Sequence, residues 1–429
     1  MTSLMAAYGR LPVTMASGTG AELVDTEGRR YLDALGGIAV CALGHADTAV
    51  ADTIARQAKT LLHVSNLYAI PEQEALGEAL CRHAAMDKAF FCNSGAEANE
   101  ACIKIARLHG HARGIETPTV IVMETAFHGR TLATIAATGN AKLRRGFGPP
   151  VPGFVSVPFD DADAVEAMGE TRDDIVAVMV EPVQGESGIR TAAPGYLARL
   201  RRICDARGWL LICDEIQSGM GRTGRWFAHQ HEDIVPDVMS LAKALGNGMP
   251  IGACLARGEA AELIQPGAHG TTFGGNPLAC SVGLTVVREI ERRELIERAG
   301  ALGTRMLDAF RAALHNRPGV ADVRGAGMMF GIELELPCGE LVGQALERGL
   351  LINVTAGNVV RLLPPYILSD AEADAVVAGV VSLIEDFLAE RAASAGCDEN
   401  AEDENARGAH APGASTVGAP AATTSRAIA

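Results

Sequence analysis

The sequence predicts an α/β fold: a large domain built on a mostly parallel, doubly wound sheet flanked by helices, with a smaller α+β domain drawn from both chain ends. Three observations lead there. From about residue 65 to residue 280, short β-rich apolar runs alternate with helical patterns, the order that builds a doubly wound domain. Those runs are continuously apolar rather than alternating, as strands covered on both faces are. The chain also carries 48 glycines in 429 residues, which suits tight turns and backbone lying close to a ligand.

Each element follows in turn. Residues 1–62 hold a hairpin around Asp25-Thr26-Glu27-Gly28 and then a helix near 50–62. Strands are expected at 119–123, 154–157, 175–180, 209–213, 238–241 and 252–256. Between them, 96–109 has apolar residues at helical spacing, and 194–206 opens with Pro194 at a first-turn position. Residues 281–391 begin with a long helical stretch, continue through strand-like pieces near 328–334 and 359–363, and end in a helix over 370–390. The expected division is therefore 63–280 for the large domain, with 1–62 and 281–391 as the two parts of the small one. From Ala392 the composition shifts to Ala, Gly, Ser, Thr and Pro with an acidic run at 398–404, so 392–429 reads as a disordered tail.

Charge and cysteine usage narrow the function. The formal net charge of -15 argues against a nucleic-acid partner, which would ask for clustered Lys and Arg. Lys142, Arg144 and Arg145 form a local basic trio, read as a solvated face or as one edge of an anionic substrate's entrance. The ten cysteines include no C-x-x-C pair. Cys92, Cys102, Cys204, Cys213, Cys254 and Cys280 sit among small or apolar neighbours, as buried thiols in a reducing compartment do. Arg10 and Pro12 interrupt the N-terminal stretch, so no signal peptide is expected, and no window reaches the roughly 18 apolar residues of a membrane span. A cytoplasmic protein without membrane or nucleic-acid partners is the expectation.

Three places carry the chemistry. Lys243 lies among small and apolar residues in Ser240-Leu241-Ala242-Lys243-Ala244-Leu245-Gly246, just after a buried strand. A desolvated Lys has a depressed pKa, so its neutral amine can form a Schiff base with an aldehyde; a solvated strand end is the plainer reading. Asp214 closes the apolar run 209–213, which puts a carboxylate at the mouth of a central strand, or simply caps a helix. Asn93-Ser94-Gly95-Ala96-Glu97-Ala98 leads from an apolar run straight into a helix, whose free N–H groups suit a phosphate. Two other patterns are set aside. Gly219-Met220-Gly221-Arg222-Thr223-Gly224 spells G-x-G-x-x-G, but no strand immediately precedes it, and it reads as a loop. His229 and His231 form an i,i+2 pair with no third ligand, so no metal site is expected.

Taken together, these residues resemble the class III aminotransferases, within the fold type I pyridoxal-phosphate (PLP) enzymes. The resemblance covers roughly residues 8–390. It rests on NSGAEANEACIKIAR (93–107), FHGRT (127–131), VEPVQGESG (180–188), LLICDEIQSGMGRTG (210–224), LAKALGNGMPIGA (241–253) and TTFGGNPLAC (271–280). It implies pyridoxal 5'-phosphate as cofactor, held by Lys243 as an imine, with Lys243 then shuttling the proton. Asp214 pairs with the pyridinium nitrogen and keeps the ring an electron acceptor. Gln217 binds the ring oxygen, Ser94, Gly95 and Ala96 hold the phosphate, Phe127 stacks on the ring, and Glu215 and Ile216 belong to the same cofactor-binding run. Thr272 reaches the phosphate of a second subunit, which implies a homodimer with its sites at the interface.

The same resemblance implies the substrate residues. Arg130 meets the carboxylate of the amine donor, and Thr271 lies nearby. Arg361 grips a carboxylate of glutamate, since a guanidinium forks onto a carboxylate as Lys cannot. Glu186 pairs with Arg361 while the bulky donor is bound and releases it for glutamate, and Glu181 is a supporting carboxylate. The subgroup most similar acts on N-acetylornithine and 2-oxoglutarate, giving N-acetylglutamate semialdehyde and glutamate, with the net flow reversed in arginine biosynthesis. Ornithine aminotransferases place a Tyr where this chain has Gly36-Gly37-Ile38, which favours an acylated donor here. Succinylornithine, succinyldiaminopimelate, ornithine and 4-aminobutyrate remain alternative donors. An aminomutase or a non-catalytic PLP-binding protein are alternatives of another class. Relatives often read G-H-x-H-P near the N-terminus, where this chain has Gly44-His45-Ala46-Asp47-Thr48.

Overall fold

Asp25 shapes the first turn of the molecule. Its carboxylate accepts the N–H groups of Glu27 and Arg29 at 2.9 Å and the Tyr31 hydroxyl at 2.8 Å. That local alternative to ladder bonding closes the hairpin between β2 (Glu22–Asp25) and β3 (Arg30–Asp33), with β1 (Met15–Thr19) antiparallel to β2 on the other side. The computed structural model describes residues 3–408, and side chains within 3–393. Past β3 the chain makes one left-handed turn: Gly36, Gly37, Ile38 and Ala39 all have φ between 57° and 66°. Asp33 anchors its start through the Leu35 and Gly36 N–H groups at 2.9 and 2.8 Å. Gly36 has no room for a side chain, because a Cβ there would stand 2.8 Å from the Leu363 carbonyl oxygen. Helix α1 (Thr48–Ala58) then begins at Asp47, whose carboxylate accepts the Ala49 and Val50 N–H groups. In GHADT, Asp47 therefore caps a helix, and His45 sits 2.7 Å from Asp33.

The central sheet has seven strands: β4 (Lys88–Cys92), β5 (Thr119–Met123), β6 (Phe154–Val157), β7 (Ile175–Val180), β8 (Leu210–Asp214), β9 (Val238–Leu241) and β10 (Gly252–Ala256). Their order across the sheet is β4-β10-β9-β8-β7-β5-β6. All run parallel except β10, which is antiparallel to both neighbours. Helix α2 (Gly95–Ala112) follows β4, and α3 (Ala162–Thr171) and α4 (Tyr196–Arg207) separate β6, β7 and β8. Ile121, Val178 and Leu211 pack on one face with Leu200 and Cys204 of α4, while Val122, Met179 and Ile212 pack on the other with Cys102 and Ile105 of α2. Both faces of the sheet are buried, which is why the strands read as continuous apolar runs.

Two of the shifted boundaries have a plain local cause. The strand expected at 209–213 begins at Leu210, because the Trp209 N–H is still spent on the Cys204 carbonyl at the end of α4. Pro194 lies outside α4, whose N-cap is Gly195 at φ 90°.

The two chain ends share a sheet. Leu350–Leu351 pairs in parallel with β3, and a second four-stranded antiparallel sheet contains β11 (Val320–Ala326), β12 (Met329–Leu334), Asn353–Thr355 and β13 (Val359–Leu362). Met1–Leu383 form one compact unit. Ile384 begins a second, whose described part is the remainder of the last helix, Asp370–Gly408. That helix runs past residue 390, where the sequence predicts its end, to Gly408; Ala and Glu there are good helix formers. Residues 409–429 lie outside the described range. Among the described residues, no helix is long and apolar enough to cross a membrane.

Candidate active site

Adjacent parallel strands end together, and at the carboxyl ends of β8 and β9 they deliver two groups to one place. Asp214 is the last residue of β8, paired with Ser240 of β9; Lys243 follows two residues after β9. Both line a cavity of about 450 Å³, together with Ser94, Gly95, Ala96, Phe127, His128, Arg130, Glu186, Ile216 and Gln217. This is the crevice where ligands of open α/β sheets bind. Val40, the residue after the left-handed turn, forms part of its wall.

Burial pushes the Lys243 amine below its ordinary pKa, against the pull of Glu186 and with the help of Arg361. An amine so shifted gives up its proton more readily, and once neutral it is a nucleophile at the cavity wall. Asp214 is 4% exposed and is held by two donors on one oxygen, Asn99 Nδ2 at 2.7 Å and His128 Nδ1 at 2.8 Å. Burial disfavours the His128 cation, but the Asp214 hydrogen bond and the negative charges of Asp214 and Glu181 together outweigh it and raise the imidazole pKa. Asn99 also donates to the His128 carbonyl at 2.8 Å, so the three groups form one network.

The anion end of the cavity is the start of α2. Ser94 caps it, accepting the Glu97 N–H at 3.2 Å, and the Glu97 carboxylate reaches back to the Asn93 N–H at 2.6 Å. Gly95 is tight: a Cβ would lie 2.8 Å from Ile216 Cδ1. Behind Glu186, Arg361 is fully buried, donating to Glu186 Oε1 at 2.7 Å, the Gly185 carbonyl at 3.2 Å and Asn353 Oδ1 at 2.8 and 3.1 Å. Burial alone would raise the Glu186 carboxyl; Arg361 holds it below its ordinary pKa.

A second cavity of about 740 Å³ opens outward from the first and shares Phe127, Arg130 and Glu186 with it. Its other walls include Asn140, Arg190, Asp322, Arg324, Glu333 and Thr355. Leu143, between Lys142 and Arg144, also lines it.

Four of the expected site residues line neither cavity: Arg361, which reaches them through Glu186, and Glu215, Thr271 and Thr272. The Glu215 side chain turns away from the cavity, accepting from Ser218, from the Ala228 and His229 N–H groups and meeting His229 Nδ1 at 3.0 Å; it ties down the loop after β8. Neighbouring side chains at a strand end point to opposite sides, and Asp214 takes the cavity side. Thr271 supports the helix cap instead, its hydroxyl accepting from Asn93 Nδ2 at 3.2 Å. Thr272 is exposed, outside both cavities. Conversely, Asn99, His128 and Asn353 had no assigned role. Asn99 did carry a signal, as a lone amide on the apolar face of α2 beside Ala98, Ala101 and Cys102.

The family model "Aminotransferase class-III" matches residues 4–384. The chain is 52% identical to an acetylornithine aminotransferase of Nitrosomonas europaea, over 91% of this chain and 100% of that one. An ornithine aminotransferase structure from Toxoplasma gondii superposes with a TM-score of 0.88 at 31% identity, covering 91% of this chain and 93% of that one. An N-acetylornithine aminotransferase structure from Stenotrophomonas maltophilia gives 0.77 at 34% identity, covering 89% and 98%.

Proposed function

Because this chain belongs to the class III aminotransferases, we propose that it transfers the terminal amine of N-acetylornithine to 2-oxoglutarate, using pyridoxal 5'-phosphate in the inner cavity. The observation that carries the reading is the meeting of Lys243 and Asp214 in one cavity at the ends of adjacent strands. The residues present fit the cofactor. Two buried polar atoms on the cavity-lining residues, Gln217 Oε1 and His128 Nε2, have no protein partner, and the helix start at Ser94 offers N–H groups to a phosphate.

When bound, the cofactor would supply an aldehyde and an electron-accepting ring. Lys243 is the amine that would hold the aldehyde carbon and then move a proton to and from the substrate carbon. Asp214, oriented by Asn99 and His128, would keep a proton on the ring nitrogen. Gln217 would face the ring oxygen, Ser94, Gly95 and Ala96 the phosphate, and Phe127 the ring's flat side. Arg130 would meet the donor's carboxylate at the junction of the two cavities. Arg361 would take a carboxylate of glutamate once Glu186 swings aside, so one site accepts two unlike substrates in alternation. In arginine biosynthesis the flow would run from glutamate to the semialdehyde.

The working form would be a homodimer in the cytoplasm. Leu61, Leu62, Leu67, Tyr68 and Phe273 are exposed apolar residues, and Asn66 ties their segments together by donating to the Thr271 and Gly274 carbonyls. Thr272 stands in that patch, where a second copy would come within its reach. Nine free thiols among the described residues suit a reducing compartment.

The test is a donor panel on the holoenzyme. N-acetylornithine, N-succinylornithine, succinyldiaminopimelate, ornithine and 4-aminobutyrate are each added alone, and the loss of the cofactor's visible absorbance is followed. N-acetylornithine is expected to give the highest kcat/KM, with 2-oxoglutarate restoring the absorbance. If it leaves the spectrum unchanged, the donor assignment is wrong; if every donor does, so is the transaminase reading.

A further inference from the structure

We propose that Glu181 is a positioning residue whose ionised carboxylate clamps together the two walls that receive the substrate. Glu181 follows β7 directly and is 6% exposed. One of its oxygens accepts the Phe127 N–H at 2.7 Å, and the other accepts the Gly185 N–H at 3.4 Å. The first bond fixes the loop that carries Phe127, His128 and Arg130. The second fixes the turn that carries Glu186 and offers the Gly185 carbonyl to Arg361. A single carboxylate thus joins the wall bearing the Arg130 guanidinium to the wall bearing Glu186, the partner of Arg361.

The two walls need a tie. Thr125, at the start of the first, sits at φ 61°, which is strained backbone for a β-branched residue. Gln184 braces it, accepting from the Thr125 hydroxyl at 2.9 Å and donating to the Glu124 carbonyl at 2.9 Å. Ser187 donates to the Thr125 carbonyl. Glu181 is the one titratable member of this brace. His128, Asp214 and Lys243 are the charged or titratable groups that face it.

Ionisation decides whether the clamp is shut. A carboxylate accepts strongly on both oxygens; a carboxylic acid has turned one of them into a donor and a poor acceptor, so it holds one of the two N–H groups weakly. Burial pushes the Glu181 carboxyl up to about 7, with His128 pulling down and Asp214 pushing up. The clamp would therefore be shut in mild base and open in mild acid, loosening substrate binding without touching the reacting atoms.

The experiment uses the holoenzyme and N-acetylnorvaline, which is the proposed donor without its terminal amine. The choice of that ligand rests on the function proposed above. Glutarate is run in parallel, because it meets the same walls whichever donor is correct. Wild-type affinity for both is expected to fall by about tenfold between roughly pH 9 and pH 6, the factor carried by one charge-assisted hydrogen bond. Glu181→Gln should bind weakly at both extremes and lose the pH dependence. Glu181→Asp, an ionisable group one methylene short, should bind weakly yet still titrate, and it serves should the amide variant fail to fold. Flat wild-type affinity overturns the proposal. So does a pH dependence that persists in Glu181→Gln, or wild-type affinity in Glu181→Asp. N-acetylnorvaline failing at every pH while glutarate titrates as expected would count against the donor reading and leave the clamp standing.

Discussion

The inner and outer cavities share three residues yet are built in opposite ways. In the inner one, charges are met from within: Asp214 by Asn99 and His128, and Glu186 by Arg361. In the outer one, Arg324 is taken up by Asp322 and Glu333, while Arg130 and Arg190 have no carboxylate within ion-pair distance among the described residues. Arg130 lies over the face of Phe127, and Arg190 donates to the Thr125 hydroxyl while lying over Phe159. A preorganised interior defines a kind of reaction, since its dipoles are already aimed. Unpaired guanidiniums on a rim define which anion is admitted, since their partner must arrive with the ligand.

That contrast can be broken at three points. Replacing Lys243 with Ala should lower kcat by at least about 10⁴-fold, because it removes both nucleophile and proton carrier; appreciable turnover in that variant would remove the inner cavity's claim to the chemistry. Replacing Arg130 with Gln should raise KM for the donor by roughly 10- to 100-fold and leave kcat nearly intact, the pattern of lost ground-state binding. A fall in kcat alone would instead make Arg130 part of the interior machinery. The smallest effect concerns stability. Burial depresses the Lys243 pKa, so in the cofactor-free protein the folded state binds fewer protons than the unfolded one. Its stability should then rise with pH until the ordinary lysine value of 10.5 is reached. Lys243→Met should raise the thermal midpoint near neutral pH, by an increment that shrinks as pH climbs toward that value. Arg130→Gln should show no such trend, and a shared trend would erase the distinction.

Much of this was legible in the residues. The strands at 119–123, 154–157, 175–180, 238–241 and 252–256 lie where the apolar runs stand, because burial on two faces leaves a plain mark. The reversed direction of β10 did not show, since hydrophobicity has no sense of direction. Lys243, Asp214 and Ser94 could be picked out because strand ends and helix starts are visible locally. The Asp214 contacts to Asn99 and His128 span 115 and 86 residues, and only folding brings them together. The reach of the last helix was masked by Gly and acidic residues that read as tail.

The backward turn at Gly36–Ala39 has an effect beyond its own four residues. Its first glycine rests on the Leu363 carbonyl, and the Leu363 N–H donates to Ala34 at 2.8 Å, two positions beyond Arg361 in the same run. Val40 in the wall of the inner cavity and Arg361, bonded to Glu186 of that wall, are thus opposite ends of a single stiff bracket. A mutation that reshapes the turn to admit a different donor would also re-aim the arginine that receives the acceptor, so the two specificities are expected to drift together rather than one at a time.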